Sequence, residues 1–138
     1  MPAEQDPSVT YFINVDLDLV SKVDLRPLVE AFGTRVHVLY CERVGRKFHA
    51  TLETAADPKS ADSCIRNFAA LVRALPPKAK RQWKQAVRRD FNIGIQAQSN
   101  ATRLASRFEI SAATTQAAAA IGAAIVITIY SPDIRHTA

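Results

Sequence analysis

The residues best suited to chemistry in this chain alternate. Asn14, Asp16 and Asp18 occupy every second position of "YFINVDLDL", and His49, Thr51 and Glu53 do the same in "KFHATLET". His37 and Cys41 share one parity in "VHVLYCERV", as do Asn92 and Gln96 in "FNIGIQAQ". On strands, a period of two puts each set on one face of a sheet. Two aspartates, two histidines and a glutamate can hold a metal or trade protons as general acid and base. Cys41 beside His37 has the outline of a nucleophile with its base. No His-x-His, His-Glu-x-x-His or Asp–Gly loop fixes a geometry, however, and a solvated antiparallel face has the same composition. Asp16, Asp18, His37, His49, Glu53, Asn92 and Gln96 are therefore read as a polar binding surface. No catalytic residue, metal ligand or cofactor is assigned. The chain has only four glycines, and neither a Gly-x-Ser-x-Gly elbow nor a phosphate-cradling loop is among them.

The second candidate is electrostatic. The net charge is +5, but it is local: residues 73–89 carry Arg73, Lys78, Lys80, Arg81, Lys84, Arg88 and Arg89 and no acid. These are seven of 18 basic residues; the other 11 face 13 acids, so the remainder of the chain is −2. On a helix over 77–89, Lys80, Lys84 and Arg88 fall at i, i+4 and i+8. Arg81 and Arg89 flank the stripe, and Trp83 is expected on the opposite side. A phosphate backbone suits such a stripe, and so does an acidic protein partner. No helix-turn-helix phrase, RNA-binding motif or interleaved aromatic residue accompanies it.

The elements that would position these residues can be read from periodicity. Tyr11 to Leu19 is a half-buried strand with Tyr11, Ile13, Val15, Leu17 and Leu19 inward. Asp24 to Phe32 is a short helix capped by Asp24, Arg35 to Glu42 a second strand, and Lys47 to Thr54 a third. Lys59 to Leu75 carries an apolar stripe of Ala61, Cys64, Ile65, Phe68, Leu71, Val72 and Leu75, a long helix that Pro76–Pro77 break. The helix from Pro77 to Arg89 buries Ala79, Trp83, Ala86 and Val87, with Arg88 and Arg89 favouring its C-terminus. Strands over Phe91 to Gln98 and Arg107 to Ile110 follow. Residues 1–9 are expected to be a disordered lead-in, 10–131 one domain and 132–138 a loose tail.

Ile110 to Tyr130 holds no charged side chain for 21 residues, long enough to cross a bilayer. Its first half is Ser, Thr and Ala, which form helix; its second half, from Ala124, is β-branched and favours strand. Gly122 lies at the junction. The stretch is read as a helix capped by Ser111, a glycine stop and a buried strand, not a membrane span. "DLRPLVEAFGTRVHVLY" has the same order around Gly33. This pseudo-repeat of strand, helix, glycine and strand predicts an α+β two-layer sandwich. Its sheet is mainly antiparallel with helices on one face, and its elements are ferredoxin-like.

"FEISAATTQAAAAIGAAIVITIY" resembles the ending of a family of small bacterial proteins of unknown function, in which strand, helix and a last strand ending in Tyr close an α+β domain. "LPPKAKRQWKQAVRRDFNIGIQA" is similar in placement to that family's middle helix and strand. The resemblance covers roughly the last 60 residues; the N-terminal half departs from the pattern. It implies an accessory or immunity-like protein that acts by binding, and it supplies no active site. The expectation is a non-enzymatic protein-binding domain, immunity-like or regulatory, whose unknown protein partner is acidic if the basic helix engages it. The alternative is a nucleic-acid-associated protein; a more distant one is a small hydrolase or metal protein on the polar face. No secretion signal is recognised, and Cys41 and Cys64 lack metal spacing, which points to a reducing cytoplasm. The oligomeric state is left open, a dimer included.

Overall fold

The computed structural model describes residues 9–57, 59–99 and 105–132. The elements run β1 (Tyr11–Ser21), α1 (Arg26–Phe32), a 3-10 turn (Gly33–Arg35), β2 (Val36–Val44), β3 (Lys47–Thr54), α2 (Ala61–Arg73), α3 (Pro77–Gln85), β4 (Arg88–Gln96), α4 (Ala112–Ala120) and β5 (Ala124–Tyr130). They form an α+β sandwich: one mixed five-stranded sheet, in the order β2-β3-β1-β4-β5, under a layer of helices. β1 is antiparallel to β3 and β4, β2 is antiparallel to β3, and only β4 and β5 run parallel.

β1 holds the centre, between β3 and β4, and its alternation turns one face to the helices. Val15, Leu17 and Leu19 face the helices and are buried with Ala50 and Leu52 of β3 and Phe91 and Ile93 of β4. α2 lays Cys64, Ile65, Phe68 and Val72 on that layer, and the Phe68 and Phe91 rings meet with centroids 5.7 Å apart. The start of α2 is fixed by a capping box, in which Ser60 and Ser63 each accept from the other's backbone N–H. The Ser111 hydroxyl caps α4 through the Thr114 N–H at 3.1 Å.

Both glycine phrases behave as the pseudo-repeat predicts. Gly33 (φ 63°) ends α1 and Gly122 (φ 72°) follows α4, and each helix feeds a strand of the same sheet. A positive φ is costly for a residue with a Cβ. The two crossovers differ in reach. α4 joins the neighbouring parallel strands β4 and β5, whereas α1 carries the chain past β3 to the far edge strand β2.

Several expectations are corrected. β1 bulges between Phe12 and Asn14, so Phe12 turns to the core and Ile13 to solvent. Arg107–Ile110 is not a strand: the segment is held by Ile110 against the core and by the Ser111 N–H on Asp62 Oδ1 at 2.8 Å. The N-cap of α1 is Leu25, although Asp24 Oδ1 still accepts from the Arg26 N–H at 3.0 Å. α3 stops at Gln85, because Ala86 turns to an extended ψ of 136° and the Val87 N–H bonds Val20 O of β1 at 2.8 Å. Val87 is exposed, and Arg88 and Arg89 belong to β4, not to a basic helix. The lead-in over 1–8 and the tail over 133–138 lie outside the described residues.

Candidate binding cleft

The strand registers place Asn14, Asp16, Asp18, His37, His49, Thr51, Glu53, Asn92 and Gln96 together on the sheet face away from the helices. Three hydrogen bonds join members of this set, and Asn92 and Gln96 bond to groups beside it. Asn14 Nδ2 donates to Asp16 Oδ1 at 3.1 Å and to Glu53 Oε1 at 2.8 Å. The Thr51 hydroxyl donates to Asp18 Oδ1 at 2.9 Å, and that of Thr128 to Asn92 Oδ1 at 2.7 Å. Gln96 Nε2 donates to the Ala97 carbonyl at 2.9 Å. Partial burial, and then the charges of Glu53 and Asp18, push the Asp16 carboxyl up to about 6. Among the described residues, no group of three or more His, Cys, Asp or Glu side chains is arranged to hold a metal ion.

Cys41 is not on this face. β2 bulges between Val38 and Tyr40, which puts His37 opposite Glu53 on the open face but Cys41 opposite Ala50 on the helix side. The Cys41 thiol packs against the edge of the core, and its burial pushes its pKa up. The two residues therefore do not form a nucleophile and base.

The basic residues divide three ways. Lys80 and Lys84, one turn apart on α3, line a cleft of about 560 Å³ together with Arg73 from the end of α2 and Arg89 from β4. Arg81 is exposed but lies outside it. Arg88 points to the open sheet face and pairs with Asp90, which is only 8% exposed. The apolar lining is Val72, Trp83, Ala120 and Ile121, and no carboxylate contributes. A volume of this size is within the range of ligand sites.

The cleft's shape follows from two polar anchors. Trp83 is 3% exposed, and its indole N–H donates to the Ile121 carbonyl at 2.7 Å, tying α3 to the end of α4. It lies beneath the lysines, not on the far side of the helix as the stripe alone suggested. Arg89 reaches back from β4 to the open end of α3, where Nη1 donates to the Ala86 carbonyl at 2.6 Å and the Trp83 carbonyl at 3.1 Å. Its Nε donates to the Gly122 carbonyl at 3.0 Å. The cation expected to favour the helix C-terminus does so from the following strand. Gly122 is favoured by its positive φ, and a Cβ there would also crowd the Arg89 guanidinium at 3.0 Å. With Arg89 committed to carbonyls, Arg73, Lys80 and Lys84 are the cations presented to an incoming group. Arg73, Trp83 and Ile121 were not signalled as site residues, since their meeting depends on contacts far apart in the chain.

No family model, curated protein or solved structure matches this chain. No helix among the described residues is long and apolar enough to cross a membrane.

Proposed function

We propose that this chain is a non-enzymatic binding domain that docks an acidic, partly apolar segment of a protein partner in the cleft between α2, α3 and the α4–β5 turn. One observation carries the reading: three cations surround an apolar floor in a concave site without a carboxylate. An apolar side chain between carboxylates meets both halves of that lining, with charge setting approach and burial setting retention. A nucleic acid would use the cations but not the floor, since the cleft presents no exposed aromatic face for stacking: Trp83 is buried, and Val72, Ala120 and Ile121 are aliphatic. On the open face, Asp16, Asp18 and Glu53 accept from Asn14 and Thr51, and no group of three or more metal-ligating side chains is gathered among the described residues, which favours binding over catalysis. The resemblance of the C-terminal third adds an immunity-like or regulatory role, and the free thiols Cys41 and Cys64 agree with a reducing cytoplasm.

Trp83 is the chain's sole tryptophan, so its emission reports on the cleft directly. The experiment titrates a glutamate-rich peptide bearing one central leucine, with duplex DNA and RNA alongside, at low and near-physiological salt. The peptide is expected to shift Trp83 emission, and Lys80→Glu/Lys84→Glu to abolish the shift with little change in stability, because both lysines are exposed. Tight binding of DNA or RNA that survives physiological salt, with no response to the peptide, would replace this reading by the nucleic-acid one.

A further inference from the structure

β5 closes the sheet on one side, and among the described residues no strand lies against its outer edge. Sheet edges are ordinarily blunted by charge, proline or a bulge. The opposite edge strand, β2, is protected in this way by His37, Glu42, Arg43 and the bulge at Leu39. β5 is not. Its seven residues, AIVITIY, hold neither charge nor proline, and its register with β4 is unbroken. Ile127 and Ile129 are 60% and 63% exposed on the helix side, and Tyr130 is exposed on the other.

The orientation of the free edge follows from one hydrogen bond. The Tyr130 carbonyl accepts from the Ala97 N–H at 3.0 Å, so Tyr130 turns its backbone toward β4. Alternation then turns the N–H and C=O groups of Ile125, Ile127 and Ile129 outward. The strand is also its own complement when reversed about Ile127. Ile127 then faces its own copy, Ile125 faces Ile129, Val126 faces Thr128, and the large Tyr130 faces the small Ala124. The isoleucines form one row on the helix side, and no charged side chain enters the seam.

We propose that this edge pairs with a second copy of the chain, β5 against β5 and antiparallel about Ile127, to give a two-fold dimer with one continuous sheet. This goes beyond the binding cleft and is independent of it. An isologous contact of this kind closes on itself and uses up both free edges. Each outward-facing pair exchanges both of its N–H···O bonds.

The test measures mass by sedimentation across a concentration series, and register by disulfide trapping. Wild type is expected at twice the monomer mass and Ile127→Lys at the monomer mass. That substitution is on an exposed position, and circular dichroism checks its fold. In a Cys41→Ser background, Ile127→Cys is expected to form a covalent dimer on oxidation, because a hydrogen-bonded antiparallel pair lies within disulfide reach. Ile125→Cys is expected not to, since its opposite number is Ile129, whereas Ile125→Cys/Ile129→Cys links. The trapping arm decides even if the lysine variant fails to fold. A wild type that stays monomeric throughout would overturn the proposal. So would a dimer that a folded Ile127→Lys leaves intact, or Ile125→Cys linking as readily as Ile127→Cys.

Discussion

Asp16 is the residue at which burial and charge conflict most. Its carboxyl titrates near 6 in the folded chain against an ordinary 3.8, so folding favours its protonated form. The linkage sign follows: ionised Asp16 subtracts from stability above about pH 6, and the penalty fades as pH falls to the ordinary carboxylate value. Asp16→Asn keeps an oxygen for Asn14 Nδ2 and removes the charge beside Glu53 and Asp18. The variant is expected to be more stable than wild type at pH 7 by on the order of 1 kcal/mol, after discounting for solvent at a half-exposed site. The gap should close by about pH 4. Thermal midpoints across pH for the two proteins decide it, and a variant less stable at pH 7 would refute the assignment. Trp83→Phe tests a second polar contact, the part-buried bond from the indole N–H to the Ile121 carbonyl. It leaves the Ile121 carbonyl without its donor and is expected to cost about 1–3 kcal/mol in denaturant unfolding. A neutral result would mean that the indole N–H does not hold the two helices together.

At the scale of elements, the sequence revealed what depends on local chemistry. The Ser111 cap, the proline break before α3, the strand β3 and the glycine stops at Gly33 and Gly122 were all legible, because each is set within one turn of chain. The rest is decided by partners distant in the chain. The bulges at Ile13 and Leu39 are set by register against β4 and β3, and the second moves Cys41 to the face opposite His37. The end of α3 is set by Val87 pairing with Val20, which takes Arg88 and Arg89 out of the helix. Three of the cleft's four cations, Lys80, Lys84 and Arg89, were therefore legible as site residues, while Arg73 in that role and the Trp83 floor were not. The same distinction yields a prediction for α4. Its start is tied to α2 by Asp62, which accepts from the Ser111 N–H and pairs with Arg66 at 3.3 Å. That bond holds the Asp62 carboxyl below its ordinary value. Asp62→Ala is expected to speed amide exchange at Ser111–Thr115 while leaving the interior of β1 unchanged. Equal acceleration in both would show that the contact supports the whole fold and not the helix start.

For the whole molecule, the question raised by two similar phrases is whether they are two units. One core answers it structurally: Leu28, Val29 and Phe32 of the first phrase share a buried cluster with Phe91, Ile93, Ile95 and Ala118 of the second, and β1 lies between them. Each phrase buries its apolar side in that shared cluster, so their stabilities are expected to be coupled. Leu17 is the sharpest probe of this. It is fully buried at the centre of β1 and pairs with Leu52 on one side and Phe91 on the other. Leu17→Ala is expected to cost about 2–5 kcal/mol by leaving a cavity in that layer. The loss should appear equally in far-ultraviolet circular dichroism, which reports every element, and in Trp83 emission, which reports the α3–α4 contact. Coincident transitions that shift together would establish one cooperative domain. If the fluorescence transition kept its midpoint while the dichroism moved, the half that carries the cleft would be stable on its own, and the shared core would not be what holds the two phrases together.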